Sequence, residues 1–297
     1  MITENKDYSY FEITKIISLL SDKYPFLKTQ IIGKSVLGKN IYAFKIGEGE
    51  NPALFAGAFH GSERITGTIL LKFAEELADC LENGKNMDGF VIGKIFENNS
   101  VMIVPFVNPD GCEIARAGVS AAGSNAAFVR KFSKNNTKKY NANARGVDIN
   151  HNFPVGWNEL HKLEQQSGIY GPSITRYGGS RPISEPETYA LVNLCQNNCF
   201  KHVIAFHSQG EVIYHRYNKY LPKAEKQAAL LAASSKYALE DPTGLAVGGG
   251  FKDYFIDRFS KPGFTIEIGK GENPLSYEDM EKIYSKIKEM MIIGIMM

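Results

Sequence analysis

The chain has 297 residues, of which 43% are hydrophobic, and its 34 basic and 32 acidic residues leave a formal net charge of only +2. Because the charges are mixed along the chain, we expect no nucleic-acid partner, and the lack of any run of about 18 apolar residues predicts no membrane span. The length and hydrophobic content suffice for a sizeable core, and we expect one catalytic domain over residues 1–297.

Residues 1–7 are polar and contain neither an apolar stretch nor a small-residue cleavage site, so we predict no secretory signal and a cytoplasmic protein. The four cysteines, Cys80, Cys112, Cys195 and Cys199, are then expected to be reduced thiols. A zinc site built on Cys195 and Cys199 lacks obvious further ligands.

The first half of the chain alternates between helical and strand patterns. Apolar spacing predicts a helix over about 8–24, and two β-prone runs around a turn predict a hairpin over about 29–46. The uniformly apolar runs 53–59 and 101–107 predict strands buried on both faces, with a helix over about 65–81 between them.

The second half begins with a long region, residues 112–182, that is rich in Gly, Asn, Ser and Lys and is predicted to be irregular and to line a site. A capping box, with Ser184 as the N-cap and Glu187 three residues later, predicts a helix ending near 197. The remaining predicted elements are strands over 202–206 and 264–268 and helices over 223–239 and 277–292.

Buried strands that alternate with helices predict an α/β fold, with a mixed, mostly parallel central sheet flanked by helices on both faces. In such sheets ligands bind beyond the carboxyl ends of the strands. His60 and Glu63 follow the run 53–59, and His207 follows the strand 202–206. Two histidines and one glutamate are the ligands of a catalytic zinc, so we predict one Zn²⁺ per chain at these residues.

Glu267 interrupts the apolar strand 264–268 and is the best candidate for a general base. The alternative for Glu267 is an outward-facing strand residue. We expect His161, His202 and His215 to be structural, because none of them follows a buried strand.

Two further segments, Asn108-Pro-Asp-Gly111 and Gly146-Val-Asp148-Ile-Asn150, accompany these residues. Together with the His-x-x-Glu pair and the later His, they make the chain similar to the zinc carboxypeptidases over about residues 33–275. The resemblance implies the family's sheet-and-helix fold, one zinc held by His60, Glu63 and His207, and Glu267 as the base. It also implies that Arg130 stabilises the oxyanion.

The chain departs from the family at two positions. His151 stands where the family has the arginine that grips the substrate's terminal carboxylate, and imidazole replaces that charge only when protonated. Leu245 falls at the position of the mobile active-site tyrosine. Arg145, Arg176 and Arg181 are alternative candidates for gripping the carboxylate.

Segments 143–148, 207–214 and 267–275 resemble one branch of the family, the bacterial γ-D-glutamyl-L-diamino acid peptidases. This resemblance implies hydrolysis of the γ-D-glutamyl to meso-diaminopimelate bond in cell-wall peptides, with a small peptide or muropeptide as substrate. The predicted substrate-binding residues are Asn150, His151, Gln209, Glu211 and Tyr214.

The sequence leaves other functions open. They are a metallocarboxypeptidase acting on ordinary C-termini, an amidohydrolase of the aspartoacylase type, and a catalytically silent muropeptide-binding protein. It also leaves open the oligomeric state, the length of the stem peptide, and a role in recycling or in sporulation.

Overall fold

A computed structural model describes residue 2 and residues 5–297, so the prediction for residues 1–7 lies partly outside the described residues. The strands are β1 (Lys28–Lys34), β2 (Asn40–Ile46), β3 (Ala53–Gly57), β4 (Asn86–Met87), β5 (Phe90–Val91), β6 (Val101–Val104), β7 (His202–His207), β8 (Val212–Tyr214), β9 (Ala238–Leu239) and β10 (Gly263–Glu267). The α-helices are α1 (Tyr10–Lys23), α2 (Arg64–Asn83), α3 (Ile92–Phe96), α4 (Pro109–Ala117), α5 (Ala126–Ser133), α6 (Trp157–Gln166), α7 (Pro186–Gln196), α8 (Pro222–Ser235), α9 (Phe251–Phe259) and α10 (Met280–Met296).

Eight of these strands form one sheet in the order β1-β2-β6-β3-β7-β10-β8-β9, and β4 and β5 form a separate two-stranded sheet. The four central strands, β6, β3, β7 and β10, are parallel to their neighbours in this group. The strands β2 and β8 flank the group and run antiparallel to it. The predicted mixed, mostly parallel sheet is therefore confirmed.

Helices cover both faces of the sheet because β3 is apolar on both faces. Ala53 and Phe55 join a core with residues of α1, α2, α8 and α10, whereas Leu54 and Ala56 join a second core with residues of α7 and α9. Successive strand residues point to opposite faces, so one apolar run serves both cores. Burial of a Leu or Phe side chain contributes about 1.5–3 kcal/mol, and the central strands are therefore rigid supports for whatever follows them.

Two local predictions were wrong. Glu185, not Ser184, is the N-cap of α7, and no side-chain cap forms there. The Glu187 carboxylate instead accepts hydrogen bonds from Val36 N and Asn143 Nδ2. The predicted irregular region contains α5 and α6, and only Leu160 and Glu164 of α6 are buried, so the apolar pattern of that helix is too sparse to read.

The four cysteines are free thiols, and Cys199 alone among them is exposed. Within the part of the chain that the structure describes, no helix has both the length and the apolar character needed to cross a bilayer.

Candidate metal centre and cleft

The ends of three neighbouring parallel strands bring the predicted functional groups together. His207 is the last residue of β7 and pairs with Glu267, the last residue of β10. His60 follows β3 by three residues, and Glu63 ends the 3-10 turn formed by residues 61–63. The sheet therefore places four side chains at one edge, although their sequence positions span more than two thirds of the chain.

The side chains of His60, Glu63 and His207 converge on one point. One ligand atom from each lies within 4.8 Å of the other two. Glu63 Oε1 lies 2.9 Å from His60 Nδ1, and Glu63 Oε2 lies 3.0 Å from His207 Nδ1. Glu63 and His207 are buried, whereas His60 is partly open to the cleft. Two imidazoles and one carboxylate held in this way are a donor set that fits zinc.

Other side chains hold these candidate ligands in place. Asp148 Oδ1 lies 3.1 Å from the second ring nitrogen of His60, and the ring of Phe59 stacks on His207 at 5.0 Å between centroids. Asn273 Nδ2 contacts Glu63 Oε1 at 3.3 Å and donates to Ser208 O at 2.6 Å. A carboxylate on the outer nitrogen of a histidine ligand is a common arrangement that fixes the ring's tautomer and orientation.

The charges of the centre create a strong negative potential at the imidazoles. Burial alone would lower the pKa of His60, but Glu63 and Asp148 raise this pKa well above its usual value. Burial would raise the pKa of Glu63, yet His60 and His207 hold that pKa below its usual value. The potential is one that attracts a cation to the point where the three side chains meet.

Glu267 lies beside this centre. Burial and then the charge of Glu63 raise the pKa of Glu267 well above its usual value, against the opposing effect of His60. A carboxyl group with a raised pKa, at the edge of a cleft, is suited to accept and release a proton.

A cleft of about 500 Å³ opens over His60, His207 and Glu267. Three predicted substrate-binding residues, Asn150, His151 and Tyr214, line it. The rest of its lining consists of Asn141, Asp148, Thr175, Arg176, Pro242, Thr243, Leu245, Ala246, Gly248, Gly250, Lys252 and Thr265.

Three predicted site residues do not line this cleft. Arg130 lies on α5, where its Nε donates to Asn135 Oδ1 at 3.3 Å. Glu211 is ion-paired with Lys286 at 2.6 Å and with Lys270 at 3.3 Å. Gln209 is exposed outside the cleft lining. The roles assigned to these three residues stay predictions that their positions do not support.

The structure positions His202, which was expected to be structural, and two of the arginines proposed as alternatives for binding the substrate carboxylate, Arg145 and Arg176. His202 Nε2 donates a hydrogen bond to Gly294 O at 2.8 Å, and burial and then Lys201 lower the pKa of His202 to about 3, as expected for a neutral structural residue. Arg145 lies 3.6 Å from Glu185. Among the described residues, Arg176 is the one arginine that lines the cleft.

Sequence reasoning missed Lys252 and the role of Asp148. Lys252 is only 5% exposed, its Nζ donates to Arg216 O at 2.7 Å, and it also pairs with Asp253. The helix α9 also contains Asp253, Asp257 and Arg258, so no local pattern in the sequence marked Lys252 as a buried cation. Asp148 lies in the segment 146–150, which resembles that of the zinc carboxypeptidases, but its partner His60 is 88 positions away in the chain.

Comparisons with known proteins agree with this geometry. The family model for zinc carboxypeptidases matches residues 13–291. The chain is 31% identical over 297 residues to Gamma-D-glutamyl-L-diamino acid endopeptidase 1 of Lysinibacillus sphaericus, covering 99% of this chain and 74% of that protein. It is 32% identical over 293 residues to the uncharacterized protein YqgT of Bacillus subtilis, covering 96% and 76%.

Solved structures show the same fold. Bovine thrombin-activatable fibrinolysis inhibitor, in complex with tick carboxypeptidase inhibitor, superposes with a TM-score of 0.76 at 19% identity and covers 98% of this chain and 96% of that one. Carboxypeptidase A from Helicoverpa armigera gives a TM-score of 0.74 at 19% identity, covering 98% and 73%.

Proposed function

This chain belongs to the zinc carboxypeptidase family, and we propose that it hydrolyses the γ-D-glutamyl to meso-diaminopimelate bond of peptidoglycan stem peptides. As a member of that family it is a zinc-dependent metallopeptidase. One observation carries the finer proposal: the cleft that holds the zinc-binding side chains is also lined by the cations Arg176 and Lys252. The chain is similar over 99% of its length to an enzyme named for γ-D-glutamyl-L-diamino acid bonds. We propose one catalytic domain for the chain.

His60, Glu63 and His207 would hold the zinc, since their donor atoms converge and suit that metal. When bound there, zinc supplies a Lewis acid that polarises the scissile carbonyl and acidifies water. Asp148 keeps the His60 ring in one orientation through its 3.1 Å contact.

Glu267 would act as the general base. It stands at the end of β10, directly beside His207 in the parallel register, and it lines the cleft. Its carboxylate would take a proton from the attacking water and deliver it to the leaving amine of diaminopimelate. The raised pKa of Glu267, caused by burial and by Glu63, favours the step in which the proton is held.

The leaving group would carry two carboxylates, and the cleft has cations to receive them. Arg176 lines the cleft, and so does the buried Lys252. The Lys252 ammonium has three hydrogens and two described partners, Asp253 and Arg216 O, so one hydrogen is available to a substrate carboxylate. Charge-assisted hydrogen bonds of this kind distinguish a diacid from a monoacid.

The proposal is tested by incubating zinc-loaded protein with L-Ala-γ-D-Glu-meso-diaminopimelate and, separately, with a hippuryl C-terminal substrate, and by identifying the products by mass. We expect L-Ala-D-Glu and free diaminopimelate. Glu267→Gln is the matched control, which should keep zinc by elemental analysis and lose turnover. Cleavage of the hippuryl substrate alone would indicate an ordinary carboxypeptidase, and binding of the tripeptide without products would indicate a silent binding protein.

A further inference from the structure

A carboxylate shared by two imidazoles lies behind one wall of the cleft. Glu164, on α6, is fully buried. Its Oε1 lies 2.8 Å from His151 Nδ1, and its Oε2 lies 3.0 Å from His161 Nδ1. A carboxylate can only accept hydrogen bonds, so the Nδ1 atom of each ring must carry a hydrogen. We call His151, Glu164 and His161 the Glu164 cluster.

The Glu164 carboxylate cannot turn, because three donors fix it. Gly178 N donates to Oε2 at 3.1 Å, beside the contact from His161. The His161 ring stacks on Trp157 at 4.6 Å and 10°, and Trp157 Nε1 donates to Gly178 O at 2.9 Å. The cluster is thus a rigid support with one member, His151, at the cleft surface.

The contact with Glu164 determines which ring nitrogen of His151 can bind a ligand. Nδ1 is bound to Glu164 in the interior, which leaves Nε2 for the cleft. The charged or titratable groups around His151 are Glu164 and His161 on α6, Asp148 in the preceding turn, and Arg176 and Lys252 in the lining of the same cleft. Among the described residues, the His151 ring has a hydrogen bond with Glu164 and none with Asp148, Arg176 or Lys252.

We infer that Glu164 is a positioning residue that holds His151 with its Nε2 atom toward the bound substrate. This inference rests on the proposed function. A proton taken up at Nε2 makes an imidazolium that donates to a substrate carboxylate, and the Glu164 carboxylate behind the ring balances the new charge. Without Glu164 the same charge would be left partly buried and unpaired.

Glu164→Gln tests this inference because the structure dictates how the amide must sit. Gly178 N is a backbone donor and cannot become an acceptor, so the amide oxygen takes the Oε2 position. The amide NH₂ group then faces His151 Nδ1 and converts it into an acceptor, which moves the hydrogen of the neutral ring to Nε2. The matched control is His161→Phe, which keeps the stack on Trp157 and leaves the His151 contact intact.

Two measurements follow. Long-range ¹⁵N–¹H NMR spectra of protein with ¹⁵N-labelled histidine report the tautomer of neutral His151. They should show the Nδ1–H tautomer in wild type and in His161→Phe, and the Nε2–H tautomer in Glu164→Gln. With the γ-D-glutamyl-diaminopimelate substrate, Glu164→Gln should raise KM about tenfold and leave kcat within about twofold, because a neutral Nε2–H donor replaces the charged imidazolium at the substrate carboxylate.

An unchanged His151 tautomer in Glu164→Gln overturns the inference, and so does a changed tautomer with an unchanged KM. If Glu164→Gln does not fold, His151→Leu replaces it as the test, because Glu164 keeps two of its three donors in that variant. An unchanged KM in folded His151→Leu overturns the inference. The NMR measurement requires no turnover, so failure of the proposed function is seen separately, as absence of the tripeptide products.

Discussion

Replacing Glu187 with Gln should remove a loss of stability that the wild-type protein suffers as pH rises. Glu187 lies in the first turn of α7 and is fully buried. Its oxygens accept hydrogen bonds from Val36 N and from Asn143 Nδ2, each at 3.1 Å. Burial and then the charge of Asp110 raise the pKa of Glu187 to about 8.

The direction of this pH effect follows from the number of protons that the folded and unfolded states bind. Between the unfolded value of 4.5 and about 8, the folded protein holds the Glu187 proton and the unfolded chain does not. The contribution of Glu187 to stability is therefore complete below pH 4.5 and is lost as pH rises to about 8. At about 1.4 kcal/mol for each pH unit, the loss totals about 5 kcal/mol. Gln carries no titrating proton, so the Glu187→Gln variant escapes this loss.

The measurement is the free energy of unfolding in urea for wild type and Glu187→Gln, at intervals from pH 5 to pH 8 and at one free zinc concentration. From pH 5 to pH 8, the free energy of unfolding of Glu187→Gln minus that of wild type should rise by about 4 kcal/mol. Metal binding cancels in the comparison because Glu187 touches none of the candidate ligands. Glu185→Gln, which changes the neighbouring carboxylate that also accepts from Asn143 Nδ2, is the matched control. A difference between wild type and Glu187→Gln that does not change with pH would refute the reasoning.

Three further predictions concern the cleft. His60→Ala should lower zinc affinity by more than about 100-fold, because it removes one of three ligands; full zinc occupancy after dialysis against a chelator would contradict the ligand assignment. Lys252→Met should raise KM for the γ-D-Glu-meso-diaminopimelate substrate about tenfold and leave γ-D-Glu-L-Lys, which lacks the distal carboxylate, nearly unaffected; equal effects on both substrates would argue against a carboxylate contact. Arg130→Ala should lower kcat about 10- to 100-fold with little change in KM if its oxyanion role is correct, with Arg176→Ala as the comparison; a kcat within about twofold of wild type would remove Arg130 from the mechanism.

The sequence by itself determined the position of the metal centre. Uniformly apolar runs mark strands that are buried on both faces, and parallel strands buried in this way end at a common edge. His60, His207 and Glu267 follow or end such runs, so the sequence places them at one edge of the sheet, and the strand order β3-β7-β10 makes them neighbours. The placement at one edge needed only the period of the apolar residues and the direction of the strands.

Only the tertiary structure decided which polar residues of the irregular segments reach the cleft. Asp148 reaches the cleft through its contact with His60, and His151 does so through its contact with Glu164. Glu211 instead forms an ion pair with Lys286, 75 positions away in the chain. Arg130 was predicted to stabilise the oxyanion, and Arg176 was one of three alternatives for binding the substrate carboxylate. Of the arginines that the structure describes, Arg176 is the one that lines the cleft. The physical reason is that side chains outside regular elements are positioned by hydrogen bonds and ion pairs with distant partners, which no local periodicity encodes.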